Sequence, residues 1–301
     1  MPTRISIEWL SGCSGCELAM LDLNRRLPPL LKNADLEIVR LPVLLDVHDY
    51  PEADVGIITG AVRGQADEDA VRAMWESCQG NILAYGTCAV FGGPHGASLL
   101  HTKEDLLADS FTHNPTTPYG FEPDLAKKML DPLRPVDQVI PVAMTLQGCP
   151  PHLAFTIDLL RHLGLGHPMH TGQTTICHRC QRHMMPVKNQ PKLQSLVELD
   201  KPSRDTCFLC QGVICMGSVT ADNCYAACTK VGVPCFGCGG PSPDVILEPP
   251  RDVRFRVADL MHDLTEIPVH EITEYMKRRV KMYYAYSMAS PVINVKPDSL
   301  F

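Results

Sequence analysis

Short apolar runs alternate with helical patterns through the first half of the chain. Ile5–Leu10, Leu36–Leu41, Val55–Thr59, Ile82–Tyr85 and Val139–Met144 are brief and mostly apolar, as strands covered on both faces are. Between the third and fourth, Asp67-Glu68-Asp69 opens a helix, the acidic residues sitting at its positive end. Its Val71, Met74, Trp75 and Cys78 follow the i, i+3, i+4, i+7 spacing of a buried face. After Cys149, Pro150-Pro151 suits the first turn of a helix that buries Leu153, Ile157 and Leu160 and stops at Gly164. Strands alternating with helices predict an α/β fold with a parallel sheet. Residues 98–137, polar and rich in Pro, Thr and His, read as a long excursion between the fourth and fifth strands.

From about Gly164 the periodicity fades into a segment dense in Gly, Pro and Cys, which predicts a core organised around inorganic groups instead of a sheet. Helical patterning returns after Pro249-Pro250. Val257, Leu260, Met261 and Leu264 form one amphipathic set, and Val269, Ile272, Met276, Val280 and Tyr283 form a second. Lys277-Arg278-Arg279 reads as a solvated helix face. Three regions result: residues 1–165, residues 166–250 and a helical extension over residues 251–301.

Composition narrows the class. With 301 residues, 45% hydrophobic and 20% charged, the chain reads as a soluble globular protein large enough for two cores. A formal net charge of −7 argues against nucleic-acid binding. No apolar run reaches the length of a membrane span, and the N-terminus has neither a signal-peptide core nor a twin-arginine leader, so a cytoplasmic location is expected. In that compartment thiols stay reduced, and 14 cysteines point to metal ligation or redox chemistry before disulfides.

Ligands of open α/β sheets bind at the carboxyl ends of the strands. The first predicted strand leads to Cys13 and Cys16, the fourth to Cys88 and the fifth to Cys149, which gathers four thiols at one sheet edge. Four thiolates are what a cubane iron–sulfur cluster needs. Cys13-Ser14-Gly15-Cys16 alone fits a redox dithiol or zinc equally well, but a dithiol site has no need of the two further cysteines. Gly86-Thr87-Cys88 opens a glycine-rich stretch that lets backbone N–H groups approach a cluster. Further on, Cys177-x2-Cys180 and Cys207-x2-Cys210 resemble a zinc ribbon with a long spacer, a reading that strands Cys215. Cys224-x3-Cys228-x6-Cys235-x2-Cys238 is a compact set suited to a second cubane.

Taken in order, Cys13-Ser14-Gly15-Cys16-Glu17, Gly86-Thr87-Cys88, Gly148-Cys149-Pro150-Pro151, Cys177-x2-Cys180, Cys207-x7-Cys215-x8-Cys224 and Cys235-Phe236-Gly237-Cys238 resemble the small subunit of the [NiFe] hydrogenases. Within that family the chain is most similar to the cytoplasmic, methyl-viologen-reducing group linked to heterodisulfide reductase. Cys228, standing where exported relatives carry proline, belongs to that likeness. The resemblance implies a flavodoxin-like N-terminal domain over residues 1–165, an irregular iron–sulfur domain over residues 166–250 and C-terminal helices beyond.

It also implies three [4Fe-4S] clusters. The proximal one would use Cys13, Cys16, Cys88 and Cys149, bordered by Gly86, Thr87, Gly148 and Pro150. The medial one would use Cys224, Cys228, Cys235 and Cys238, and the distal one Cys177, Cys180, Cys207 and Cys215. Cys78 is then a structural thiol, and Cys210 competes with Cys207 for the distal position, Cys207 having the family's spacing to Cys215. No free pair of CxxC motifs remains to hold nickel, so the nickel–iron centre is expected on a large-subunit partner. Electrons would pass to an iron–sulfur or flavin protein, and Glu17 is a candidate proton relay or a charge at a helix start. The rival readings are a cluster-bearing subunit like that of respiratory complex I and a zinc-stabilised regulatory or interaction module.

Overall fold

The computed structural model describes residues 1–116, 120–169, 172–187, 191–248, 252–283 and 285–290. Two compact units emerge: Met1–His170 with Met288–Ser290, and Thr171–Ser287 with Pro291–Phe301. Pro249, Pro250 and residues 291–301 lie outside the described residues. Among the described residues no helix is long and apolar enough to cross a membrane.

The first unit is a three-layer α/β structure. Its strands are β1 (Thr3–Trp9), β2 (Leu36–Arg40), β3 (Val55–Thr59), β4 (Val62–Gly64), β5 (Ile82–Tyr85), β6 (Met129–Arg134) and β7 (Met144–Leu146). Five form one parallel sheet in the order β2-β1-β3-β5-β7, while β4 and β6 pair antiparallel beside it. With that small ribbon set aside, the order is the 2-1-3-4-5 of flavodoxin-like sheets. The helices are α1 (Gly15–Leu21), α2 (Leu27–Asn33), α3 (Gln65–Ser77), α4 (Thr87–Phe91), α5 (Lys103–Leu107), α6 (Asp124–Lys127) and α7 (Leu153–Leu165). Successive strand residues face opposite layers. Ile58, Ile82 and Ala84 join Val71, Met74 and Cys78 of the α3 layer, whereas Tyr85 hydrogen-bonds Thr156 of α7 at 2.7 Å on the other.

Several expectations move. The fifth strand is Met144–Leu146 instead of Val139–Met144, because Pro141 has no N–H to give a ladder. Val139 and Ile140 instead follow a single 3₁₀ turn and pack into the core. The excursion over residues 98–137 contains α5, α6 and β6, whose edge pairing with β4 has no period-2 signature in Met129–Arg134. Trp75 stays partly exposed while Val71 and Met74 are buried, and Cys78 packs against Met74 with its sulfur 3.7 Å from the thioether.

α7 also differs from expectation. It is N-capped by His152, buries Phe155, Thr156, Leu159 and Leu160, and ends at Gly166. Gly164 lies inside it, where a Cβ would come within 1.8 Å of the Ala34 carbonyl, so its role is close helix approach and not termination.

The second unit is built from short pieces: α8 (Ile176–Arg179), α9 (Ala227–Lys230) and α10 (Pro243–Leu247), joined by 3₁₀ turns and isolated bridges. Its longer elements are α11 (Val253–Thr265), α12 (Val269–Lys277) and α13 (Val280–Tyr283). α11 turns Val257, Met261 and Leu264 inward, with Leu260 only half-buried. The second amphipathic set is split after Lys277, so Val280 and Tyr283 belong to a separate turn. Arg278 and Arg279 are exposed.

Candidate metal centres

The carboxyl ends of β1, β3, β5 and β7 meet at a cavity lined by all four thiols of the first set, Cys13, Cys16, Cys88 and Cys149. Each is held by local backbone chemistry. Ser11 bridges to Ala61, and its hydroxyl donates to Asp67 at 2.8 Å. The same carboxylate oxygen accepts the Arg63 and Gly64 N–H groups at 2.9 and 2.8 Å, so the start of α3 anchors the Cys13 loop. Gly86 turns β5 into α4 with φ 91, and a Cβ there would meet the Cys16 sulfur at 2.4 Å.

Thr87 and Gly148 clamp two cysteine loops together. The Thr87 N–H donates to the Gly148 carbonyl and the Gly148 N–H donates to the Thr87 hydroxyl, both at 2.9 Å. Gly148 adopts φ 150, and Pro150 lines the cavity beside Cys149. Cys13, Cys16, Thr87, Cys88, Gly148, Cys149 and Pro150 line one hollow, and Gly86 stands behind the Cys16 sulfur without lining it.

Burial dominates the electrostatics here. It pushes the Cys88 thiol up to about 12 and raises Cys149 and Cys16 as well, with neighbouring thiolates adding to the effect. A cavity that raises several thiols together suits a ligand able to absorb their combined negative charge. The four thiols line one hollow. Among the described residues, no three His, Cys, Asp or Glu side chains are placed to hold a single ion. Four thiol donors around one hollow, crowded by glycines that admit no Cβ, fit a cluster.

Glu17 is not the solvated charge of an ordinary helix start. It is 2% exposed, its Oε1 accepts the Thr59 hydroxyl, and its Oε2 has no hydrogen-bond partner among the described residues. Thr59 is a site residue that motif reading misses; its one signal in the sequence is its place at the end of a sheet strand.

A second cavity is lined by Cys177, Cys180, Cys207 and Cys215. Cys177 lies on α8, and the Cys207 N–H donates to the His183 carbonyl at 2.8 Å. Cys215 is tied to the next set: its sulfur accepts the Cys235 N–H at 3.2 Å, and the Met216 N–H donates to the Cys235 carbonyl at 2.8 Å. Burial pushes Cys177 and Cys207 up to about 12. Cys210 is not among the lining residues; it is buried in the 3₁₀ turn Leu209–Gln211. Gly217 borders the same hollow, a Cβ there meeting the Cys177 and Cys215 sulfurs at 3.4 and 3.6 Å. Neither Gly217 nor Arg182, which also lines it, carries a sequence signal beyond proximity to cysteines.

In the third set burial raises the Cys224 and Cys235 thiols, with Cys228 adding to the first and Cys215, then Cys238, to the second; Gly237 turns between Cys235 and Cys238 with φ 90. His178 and His95 are both exposed.

Comparison with known proteins bears on the family of the chain. The family described as "NADH ubiquinone oxidoreductase, 20 Kd subunit" matches residues 13–163, the stretch containing the first four thiols. One subunit of the F420-non-reducing hydrogenase of Methanothermobacter marburgensis is 30% identical over 97% of this chain and 96% of that protein. The iron-sulfur subunit of the F420-non-reducing hydrogenase of Archaeoglobus profundus is 28% identical over 98% and 99% respectively. Among solved structures, the NAD+-reducing [NiFe]-hydrogenase in its H2-reduced state aligns with a TM-score of 0.52 and 27% identity, over 56% of this chain and 95% of that one. The likeness to the F420-non-reducing enzymes runs through both units, and the chain belongs to the [NiFe] hydrogenase small-subunit family, in the group of the F420-non-reducing, methyl-viologen-reducing enzymes.

Proposed function

We propose that this chain relays electrons between a nickel–iron centre on a large-subunit partner and a redox protein, through three [4Fe-4S] clusters. The observation that carries the reading is the pair of four-thiol cavities, one in each unit, with a further four-cysteine set in the second. The first cluster is held by Cys13, Cys16, Cys88 and Cys149, and the distal one by Cys177, Cys180, Cys207 and Cys215. Cys224, Cys228, Cys235 and Cys238 hold the medial one. Such clusters supply one-electron exchange, at potentials set by their surroundings.

The residues of the chain supply the rest. Gly86 and Gly93 keep side-chain atoms away from the Cys16 and Cys88 sulfurs, since a Cβ at either would lie 2.4 Å from one. Thr87 keeps the Cys88 and Cys149 loops in register. Glu17, with one unpartnered buried oxygen, is placed at the cavity wall to hold a proton or to accept a hydrogen bond from the partner.

The acceptor is an iron–sulfur or flavin protein, of the heterodisulfide-reductase-linked kind that the family resemblance implies. The complex I-like reading accounts for residues 13–163 and leaves the second unit unexplained. The zinc reading sits poorly with thiols that ring a cavity. In the copurified complex, dihydrogen should bleach the iron–sulfur absorbance, and the chain without its large subunit should not respond. A complex that turns over dihydrogen with no change in that absorbance would contradict the relay.

A further inference from the structure

The distal cavity holds one charged side chain besides its cysteines. Arg182 lines it together with Cys177, Cys180, Cys207 and Cys215, and its guanidinium is held in place from several directions. Nη1 donates to the Ser203 and Thr206 carbonyls at 2.8 and 3.0 Å, and Nε donates to the Thr229 carbonyl at 3.2 Å. The guanidinium carbon stacks 3.9 Å above the Phe208 ring centre. Carbonyls and an aromatic face orient a cation without neutralising it. Among the described residues no carboxylate pairs with Arg182, whereas Arg179, also in this unit, pairs with the buried Asp222.

A half-buried, rigid and uncompensated cation beside four thiols has its counter-charge in the cavity. We infer that Arg182 is a positioning residue for electron flow: its fixed positive charge raises the reduction potential of the cluster held by Cys177, Cys180, Cys207 and Cys215. The inference rests on the cluster assignment above. The physics is direct. A cubane on four thiolates is a net anion, and uptake of one electron, with no bond made or broken, makes it more negative. A nearby cation stabilises the more negative state more strongly.

The test uses the anaerobically purified complex with its large subunit, titrated with dithionite and followed by electron paramagnetic resonance. Iron content is read first, because absence of the distal cluster from the unsubstituted protein would overturn the assignment and this inference with it. With the cluster present, Arg182→Gln should shift the distal midpoint to more negative potential and leave the other midpoints in place. Arg182→Lys, which keeps the charge and loses the planar fork, should recover most of the shift.

Gly232→Asp provides a second route. A Cβ at Gly232 would lie 3.8 Å from Arg182 Nη2, and although φ is 88 there, Asp is among the few side chains that visit the left-handed region, so the new carboxylate neutralises the charge while Arg182 keeps its own hydrogen bonds. It carries the test if Arg182→Gln fails to assemble, and it should shift the midpoint in the same direction. An unmoved distal midpoint in a fully iron-loaded Arg182→Gln or Gly232→Asp complex would overturn the inference. Equal shifts in Arg182→Lys and Arg182→Gln would do so too, since they would mark a purely structural role.

Discussion

Cys207 and Cys210 belong to the same short motif, yet only Cys207 lines the cavity shared with Cys177, Cys180 and Cys215. Spacing alone leaves both open; the difference comes from the turn at Leu209–Gln211, which carries Cys210 away from the hollow. Cys207→Ala should therefore cost about four irons per chain, the content of one cubane, and erase the distal paramagnetic signal. Cys210→Ala should keep both, and the reverse pattern would reassign the ligand. Thr87 makes a second prediction at this scale. Thr87→Val strips the acceptor from the buried Gly148 N–H, at a cost of about 1–3 kcal/mol. Thermal unfolding of the cluster-free chain should show the loss, and Thr87→Ser should restore most of it. Most of these ligand-bearing residues are legible in the sequence because cysteine and glycine are informative letters. Thr59, Gly217 and Arg182 are not, because their roles come from neighbours far away in sequence.

Three strand ends, those of β1, β5 and β7, deliver the first set of thiols while β3 completes the cavity wall, and three of these four strand ends are readable as buried apolar runs. The fifth strand is misplaced by that reading because Val139 and Ile140 are as apolar as a strand residue yet precede Pro141, and burial in the core satisfies the same pattern. The β4–β6 ribbon escapes it for the opposite reason: Met129–Arg134 carries a proline and polar residues at an edge, where alternation is not required. The β5–α4 turn is the element on which the site depends most. Gly86 combines φ 91 with a space that a Cβ would fill at 2.4 Å from the Cys16 sulfur. Gly86→Ala should leave the second unit's clusters assembled while depleting the first, a loss of about four irons per chain. Retention of the full iron content would show that the turn tolerates a side chain and that the cradle is looser than the geometry implies.

Across the whole molecule, burial raises Cys16, Cys88 and Cys149 in one cavity and Cys177, Cys207 and Cys215 in the other, with Cys88, Cys177 and Cys207 at about 12. A group whose unligated value lies that high is protonated at neutral pH, whereas the ligand form is the thiolate. Assembly must therefore expel protons and should become more favourable as pH rises from about 6.5 to about 8.5. Reconstitution in weak buffer should acidify the medium; a pH-independent yield without proton release would contradict burial as the dominant influence. The central claim is that the cysteines of both units hold electron-carrying clusters. Metal and acid-labile sulfide analysis of the anaerobically purified complex tests it most directly. The expected result is about twelve cluster irons and about twelve sulfides per copy of this chain, beyond the iron of the partner's nickel–iron centre. One or two zincs per chain, with no labile sulfide, would contradict it.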